Sequence, residues 1–223
     1  MLLGPPGSGK GTQGRLLAAR CGVPHIASGA ILRRIVATED SELAREARVI
    51  HEGQMIPDRV ANAVALRELD KPDAAGGFVL DGYPRDVPQA EALQGYLDGR
   101  SQRLDAVIVL EIRGESLIAR LAGRLTCPNC GESYHVEHAP PARPGLCDRC
   151  GHALRVREDD QPERVRTRLA LYGQNTEPLV AYYEARGLLR PVDGSLDVDQ
   201  VFAQVARAAG LDGLSGGAGE ALV

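Results

Sequence analysis

The chain has 223 residues, of which 43% are hydrophobic, 25% charged and 4% aromatic, with a net charge of −4 and a pI near 5.8. This composition is typical of a globular protein with one α/β domain carrying an insertion, or with two small domains. The acidic pI argues against broad, non-specific nucleic-acid binding, and no apolar run is long enough to predict a membrane span. Because neither a basic n-region nor a long apolar h-region is present at the N-terminus, we expect no signal peptide and a cytoplasmic protein.

Five short apolar runs predict buried strands: 1–3, 25–27, 78–81, 106–112 and 188–192. Amphipathic segments between and after these runs predict helices, namely GTQGRLLAAR, ELAREARVIHEG, RVANAVALRELD, PQAEALQGYL, ESLIARLAGRL and PERVRTRLALYGQNTEPLVAYYEAR. Strands this apolar are buried on both faces, and helical crossovers between them imply a parallel sheet. The small, glycine-rich tail GLSGGAGEALV is expected to be disordered at its end.

Residues 126–156 interrupt this alternation, because their prolines and glycines exclude a long helix. Two pieces, SYHVE and ALRVR, alternate weakly and predict short strands inside an inserted module. After the insertion, DQPE predicts a helix start, with Asp160 as the cap, Pro162 in the first turn and Glu163 in a capping box.

A glycine-rich loop, LLGPPGSGKGTQ, follows the first strand and precedes the first helix. Glycines let backbone N–H groups turn toward a phosphate, and Lys10 places a positive charge at its oxygens. The usual Ser or Thr after the lysine is displaced by one place, because Gly11 precedes Thr12. The motif predicts a nucleoside triphosphate site formed by Gly7, Ser8, Gly9, Lys10, Gly11 and Thr12.

Three further stretches point to a second anionic ligand. ASGAILRR offers Ser28 and Arg33, and VLDGYPRDVPQAE is a buried strand that ends at Asp81 and is followed by polar side chains. In ARLAGR, Arg120 and Arg124 are spaced to share a helix face. Two more arginines, Arg157 and Arg168, follow the insertion, whereas Arg15, Arg20, Arg34, Arg45 and Arg48 are expected to be solvated.

Four of the five cysteines, Cys127, Cys130, Cys147 and Cys150, form two C-x2-C pairs separated by 16 residues. In a reducing compartment this spacing predicts a structural zinc site, and four thiolates leave no open position for a substrate water. Four reduced thiols without a metal are the alternative, and His135, His138 and His152 are not expected to be ligands. A module of about 30 residues has too small a core to fold on apolar burial alone.

These motifs together resemble the adenylate kinase family, in its long form with a zinc-bearing lid. The resemblance rests on GPPGSGKGT, SGAILR, LDGYPR with Gln89, GR at 123–124, REDDQ and the four-cysteine insertion, and it extends from Met1 to about Gly194. It implies a P-loop nucleoside monophosphate kinase fold, in which helices flank a five-stranded parallel sheet. It further implies a core of 1–27, 57–120 and 161–223, a monophosphate-binding flap of 28–56 and a lid of 121–160.

The resemblance implies reversible phosphoryl transfer from Mg-ATP to AMP by a monomer that binds neither nucleic acid nor membrane. The implied catalytic residues are Lys10, Asp81, Arg85, Arg124, Arg157 and Arg168, with Asp81 ordering Mg²⁺ through its water shell. Arg120 and Arg124 join the glycine-rich loop in binding ATP. The implied AMP contacts are Ser28, Arg33, Ile56, Gly82, Arg85, Gln89, Arg157 and Arg168, with Gln89 reading the adenine edge.

Some positions depart from the family pattern, and two other functions stay open. Ala30 stands where an Asp is usual, Asp86 where a Thr is usual, and Leu125 where a second Arg is common. A kinase with another acceptor, such as UMP, CMP or GMP, is a same-class alternative. A zinc-ribbon binding protein whose phosphate loop senses nucleotide is a different-class alternative.

Overall fold

The computed structural model describes residues 1–112 and 114–211 of the chain. The glycine-rich tail, predicted to be disordered, lies outside these described residues. The strands are β1 (Leu2–Leu3), β2 (His25–Ala27), β3 (Val79–Asp81), β4 (Val107–Glu111), β5 (Arg124–Thr126), β6 (Ser133–His135) and β7 (Leu189–Asp193). The helices are α1 (Lys10–Cys21), α2 (Ser28–Thr38), α3 (Glu42–Ala47), α4 (Asp58–Leu69), α5 (Val87–Asp98), α6 (Gly114–Ala122), α7 (Pro162–Leu171), α8 (Pro178–Glu184) and α9 (Val198–Ala208).

Five strands form one parallel sheet in the order β2-β3-β1-β4-β7, which confirms the predicted sheet. Side chains on successive strand residues point to opposite faces, so Leu2 and Leu3 enter two different hydrophobic clusters. One cluster contains residues from α1 and α9, and the other contains residues from α2, α3, α4, α5 and α8. In the register, Asp81 pairs with Leu2 on one side and with Ala27 on the other. The carboxyl ends of β1, β2 and β3 therefore meet at one edge of the sheet, where open α/β sheets bind ligands.

Two predicted helices are shorter than expected. The segment ESLIARLAGRL ends its helix at Ala122, and Arg124 already belongs to β5, so the expected shared helix face of Arg120 and Arg124 is wrong. The long helix after the insertion is divided into α7 and α8 by a π-helical turn, Tyr172–Thr176, which ends two residues before Pro178. Proline lacks the N–H group that would continue the hydrogen-bond ladder of a helix, which accounts for the break between α7 and α8.

The insertion contains a two-stranded antiparallel sheet of β5 and β6. The predicted strand in SYHVE is confirmed as Ser133–His135, whereas ALRVR contributes isolated bridges at Ala153 and Arg155. The sequence patterns did not predict helix α2, although its buried residues Leu32 and Ile35 have helical spacing.

The predicted cap of α7 is wrong. The N-cap is Gln161, Pro162 is the first helical residue, and no side chain caps this helix. Asp160 instead accepts hydrogen bonds from Arg124 and Arg168, and a carboxylate held by two guanidinium groups is not free to cap a helix.

Candidate active site

The glycine-rich loop connects β1 to α1 and surrounds the ammonium group of Lys10. Nζ of Lys10 donates to the carbonyl oxygens of Gly4 at 2.6 Å and Pro5 at 2.8 Å. A side chain on Gly4 would lie 2.8 Å from the Leu110 carbonyl oxygen, and Gly9, the N-cap of α1, has a φ of 91°. Both positions therefore favour glycine. The loop places backbone N–H groups, a helix N-terminus and a cation together, which is a site for phosphate.

The predicted triphosphate residues are contiguous here. Ser8 is buried, and Gly7, Gly9, Gly11 and Thr12 are half-buried in the loop and the first turn of α1. Burial lowers the pKa of Lys10 to about 8, although the nearby Asp81 carboxylate acts in the opposite direction.

Asp81 lies at the end of β3, directly over the first turn of α1. A Cβ atom added to Gly11 would lie 3.6 Å from Oδ2 of Asp81, and Nε2 of His25 lies 3.6 Å from the same oxygen. Burial raises the pKa of Asp81, but His25 and Lys10 outweigh this effect, so the net pKa is below its usual value. Asp81 is therefore an anion beside the phosphate loop, as a magnesium-ordering carboxylate must be.

A second cationic group forms around Gly29. A Cβ atom at Gly29 would lie 3.4 Å from Nη2 of Arg33 and 3.6 Å from Nη2 of Arg85, so these guanidinium groups face one small residue. Ser28 donates its hydroxyl to the Asp81 carbonyl at 3.3 Å, and Nε of Arg85 donates to the Gly82 carbonyl at 2.9 Å. The structure thus brings together four of the predicted monophosphate residues: Ser28, Arg33, Gly82 and Arg85.

The arginines that flank the insertion are held by two adjacent carboxylates. Arg124 donates to both oxygens of Asp160, and Arg157 donates to both oxygens of Asp159. Arg168 joins the two pairs, at 3.1 Å from Asp159 and 2.8 Å from Asp160. Burial opposes ionisation of Asp159, but Arg157 and Arg168 outweigh it and hold its pKa well below the usual value.

The two groups of arginines are electrostatically one cluster. Nη1 of Arg33 lies 3.6 Å from Oδ2 of Asp159, which links α2 to the segment after the insertion. Burial lowers the pKa of Arg33, and the neighbouring Arg157 lowers it further. In the described part of the chain, three carboxylates, Asp81, Asp159 and Asp160, oppose six cations, namely Lys10, Arg33, Arg85, Arg124, Arg157 and Arg168. Such an excess of buried positive charge is stabilised by binding polyanions.

Three further predicted contact residues have other surroundings. Arg120 donates to the carbonyl oxygens of Gly194 and Ser195 at the end of β7. Ile56 is 4% exposed and belongs to the hydrophobic core. Gln89 is 1% exposed, and its carboxamide is hydrogen-bonded within the protein, so the expected contact with an adenine edge stays a prediction.

Sequence reasoning missed several residues that shape the site. The resemblance places Asp159 and Asp160 near the arginines that flank the insertion, but the pairing of each carboxylate with particular arginines was not predicted. Thr176, in the π-helical turn, donates to the Arg85 carbonyl at 2.8 Å. The expectation that Arg15 is solvated is wrong, because its Nη2 lies 2.6 Å from Oε1 of Glu132 in the insertion. No local sequence signal connects these two residues.

The four paired cysteines converge in the insertion. Their Sγ atoms all lie within 4.8 Å of one another, with 3.4 Å between Cys127 and Cys150 and 3.5 Å between Cys130 and Cys147. A tetrahedral zinc ion with four Zn–S bonds separates the sulfur atoms by about 3.8 Å. Hydrogen bonds from the His152 backbone and the Asn129 side chain lower the pKa of Cys150 to about 5, whereas burial raises the pKa of Cys127 and of Cys130. The fit to zinc therefore rests on the geometry and on the four sulfur donors. The residues present fit a structural zinc ion.

None of the described helices is long and apolar enough to cross a lipid bilayer. Residues 2–188 match the sequence model of the family described as adenylate kinase. Curated relatives named adenylate kinase are similar over nearly their whole length. One from Moorella thermoacetica is 46% identical over 213 residues, covering 95% of this chain and 98% of the relative. Another from Methanothrix thermoacetophila is 44% identical, covering 93% and 96%, and one from Thermotoga maritima is 42% identical, covering 94% and 96%. The chain belongs to the adenylate kinase family.

Proposed function

We propose that this chain transfers the terminal phosphoryl group of Mg-ATP to AMP, reversibly, and forms two molecules of ADP. The observation that carries the proposal is the cluster of six cations, which extends from the phosphate loop to the arginines of α2, the β3–α5 turn and α7. Two phosphate chains brought together from opposite ends of such a cluster would have their charges neutralised at the point of transfer. Family membership supports the same reaction.

In this mechanism the protein positions the substrates and stabilises charge. The phosphate loop and Lys10 bind the β- and γ-phosphates of ATP, with Gly7, Ser8, Gly9, Gly11 and Thr12 forming the loop and the first helical turn. Arg120 and Arg124 complete the ATP site from the other side. Magnesium, when bound with ATP, neutralises charge on the phosphates, and Asp81 is placed to hold its water shell.

The acceptor phosphate is bound by Arg33 and Arg85, whose planar guanidinium groups suit bidentate contacts with phosphate. Arg157 and Arg168 then act on the transferred group between the two substrates. Ser28, Ile56, Gly82 and Gln89 surround the rest of AMP, with Gln89 contacting the base. Asp159 and Asp160 hold the arginines in place until the phosphates bind.

We further propose that the chain works as a monomeric cytoplasmic enzyme with three moving parts. These are the core (1–27, 57–120 and 161–223), the flap (28–56) and the lid (121–160). A structural zinc ion bound by Cys127, Cys130, Cys147 and Cys150 shapes the lid and takes no part in the chemistry. Closure of the lid and the flap excludes water and so protects ATP from hydrolysis.

A coupled assay that compares acceptors tests the proposal. At saturating Mg-ATP, AMP should be phosphorylated more efficiently than UMP, CMP or GMP. Arg33→Met and Arg85→Met should each raise the KM for AMP, whereas Arg34→Met, which changes the arginine adjacent to Arg33, should not. Absence of AMP turnover in a folded wild-type chain would contradict the proposal. Preference for another monophosphate would show that the acceptor is not AMP.

A further inference from the structure

The carboxamide of Gln89 is held in one orientation by three neighbours. Its Oε1 accepts from the backbone N–H of Arg85 at 3.0 Å, and its Nε2 donates to Oδ1 of Asp58 at 2.8 Å and to Oδ2 of Asp86 at 3.1 Å. Both amide hydrogens are therefore used, and one lone pair on Oε1 is the hydrogen-bonding capacity that remains.

The reversed orientation is strongly disfavoured. If the amide were rotated by half a turn, Nε2 would face the N–H of Arg85, donor against donor. Oε1 would face the carboxylates of Asp58 and Asp86, acceptor against acceptors. Hydrogen bonds to charged groups are stronger than those between neutral groups, so the two carboxylates contribute most of this preference.

The two carboxylates belong to residues at the starts of α5 and α4. Asp86 caps α5, because its Oδ1 accepts from the backbone N–H of Gln89 at 2.9 Å, and Asp58 is the first residue of α4. The hydroxyl of Tyr83 lies 2.8 Å from Oδ1 of Asn62 and 3.2 Å from the backbone carbonyl oxygen of Gln89, and its single proton is directed at this pair of acceptors. The orientation of the amide is thus set by residues at the starts of α4 and α5, two helices that pack together.

On the premise that Gln89 contacts the acceptor base, as proposed above, we infer that Asp58 and Asp86 are positioning residues for base selectivity. They orient the Gln89 carboxamide so that it offers the base a hydrogen-bond acceptor. A purine with a 6-amino group can donate to this oxygen. A purine with a 6-oxo group would place a second acceptor against it, and the amide cannot turn to donate instead.

The experiment compares AMP with IMP, which differs from it by the 6-oxo group and the adjacent ring proton. We would measure kcat/KM for both in the wild type, Asp86→Ser and Asp58→Ser. Serine keeps the helix cap at position 86, and its hydroxyl can donate or accept, so it does not prefer one orientation of the amide. We expect the AMP-to-IMP ratio to fall at least about tenfold, mainly through a lower KM for IMP, with kcat for AMP little changed.

A matched control lies on the same helix. Gln94 donates from Nε2 to Oδ1 of Asp98 at 2.7 Å, in an exposed carboxamide–carboxylate pair. Asp98→Ser removes an equivalent contact and should leave the AMP-to-IMP ratio unchanged. A purely structural effect of the substitutions would alter both substrates equally and would not move the ratio.

The possible results separate the two levels of inference. If the wild type phosphorylates AMP and neither variant changes the ratio, the positioning role is overturned and the proposed function stands. If the folded wild type does not phosphorylate AMP, the proposed function fails, and this inference fails with it. Should Asp86→Ser not fold, Asp58→Ser decides the question, because Asp58 is exposed and caps no helix by its side chain. Calorimetric binding of AMP and IMP gives a second readout without turnover.

Discussion

Arg15 on α1 and Glu132 beside the cysteine cluster form a 2.6 Å ion pair between the core of the fold and the insertion. Both side chains are less than a quarter exposed, so the pair is only partly screened by water. Close by, a Cβ atom on Gly131 would lie 3.9 Å from the Cβ of Ala30. The insertion therefore lies against α1 and α2 in this structure, and the small side chain at position 30 permits that approach.

Neutralising this ion pair should favour the open lid. We expect Arg15→Gln and Glu132→Gln each to raise the KM for ATP by up to about fivefold, because closure loses about 0.2–1 kcal/mol. Steady-state kinetics and a double-mutant cycle measure the effect, and the double variant should cost no more than either single one. The exposed pair Arg100–Asp70 is the control, and its loss should leave KM unchanged. Additive effects at Arg15 and Glu132 would contradict the coupling.

Removal of zinc should destabilise the insertion and lower thermal stability. Because metal binding and folding of such a module are coupled, we expect Tm to fall by about 10 °C after chelation or in Cys147→Ser. Metal analysis should give one zinc per chain. Cys21→Ser is the control, because Cys21 is exposed and outside the cluster, and it should keep both the metal and the Tm. A melting curve unchanged by verified loss of zinc would show that the metal has no structural role.

Activity should decrease at alkaline pH through Lys10. Its pKa in the ligand-free protein is lowered to about 8, and in the proposed mechanism the triphosphate is bound by the protonated form. As pH rises through that value the protonated fraction falls, so kcat/KM for ATP should drop about fivefold between pH 8 and pH 9. Lys71→Met, at an exposed lysine, should keep this profile. A flat profile to pH 10 would exclude the role of Lys10.

A side chain at Gly123 should destabilise the protein, because a Cβ atom there would lie 2.4 Å from Nε2 of His135. The imidazole cannot easily move away, since its Nδ1 accepts from the backbone N–H groups of Glu137 and His138. We expect Gly123→Ala to cost about 1–3 kcal/mol of unfolding free energy, measured by denaturant titration.

A glycine in α5 provides the comparison for this variant. A Cβ atom on Gly95 meets nothing within 4 Å, so Gly95→Ala should stabilise the protein by about 0.5–1 kcal/mol. Adding His135→Ala to Gly123→Ala should recover part of the loss. If Gly123→Ala is as stable as the wild type, the close packing against His135 is not a constraint.

Local patterns predicted most of the fold, because apolar runs and glycine-rich turns act over a few residues. All five strands of the parallel sheet and the glycine-rich loop were predicted from such patterns. The helix ends were less predictable. Arg124 is not helical because it pairs with His135 in the β5–β6 sheet, and Asp160 does not cap α7 because two arginines hold its carboxylate. In both cases the competing partner is too far away in the sequence for a local pattern to include it.

The candidate site divides in the same way. Lys10, Asp81 and the four cysteines could be chosen as candidates from motif and spacing, since such patterns are typical of phosphate or metal binding. The orientation of Gln89 could not, because Asp58 and Asp86 reach it from two helices. The ion pairs Arg33–Asp159 and Arg15–Glu132 could not be predicted either, because each joins segments that are far apart in the sequence.

The amino-acid sequence by itself determined the parallel sheet, the phosphate loop, the cysteine pairs and the resemblance to adenylate kinases, since each depends on residues close together in the chain. The tertiary structure alone decided which carboxylate holds which arginine, which way the Gln89 amide faces and where the insertion lies against the core. Those choices depend on burial and distance between segments far apart in sequence, where a charge is stabilised only by the partner that the fold brings within a few ångströms.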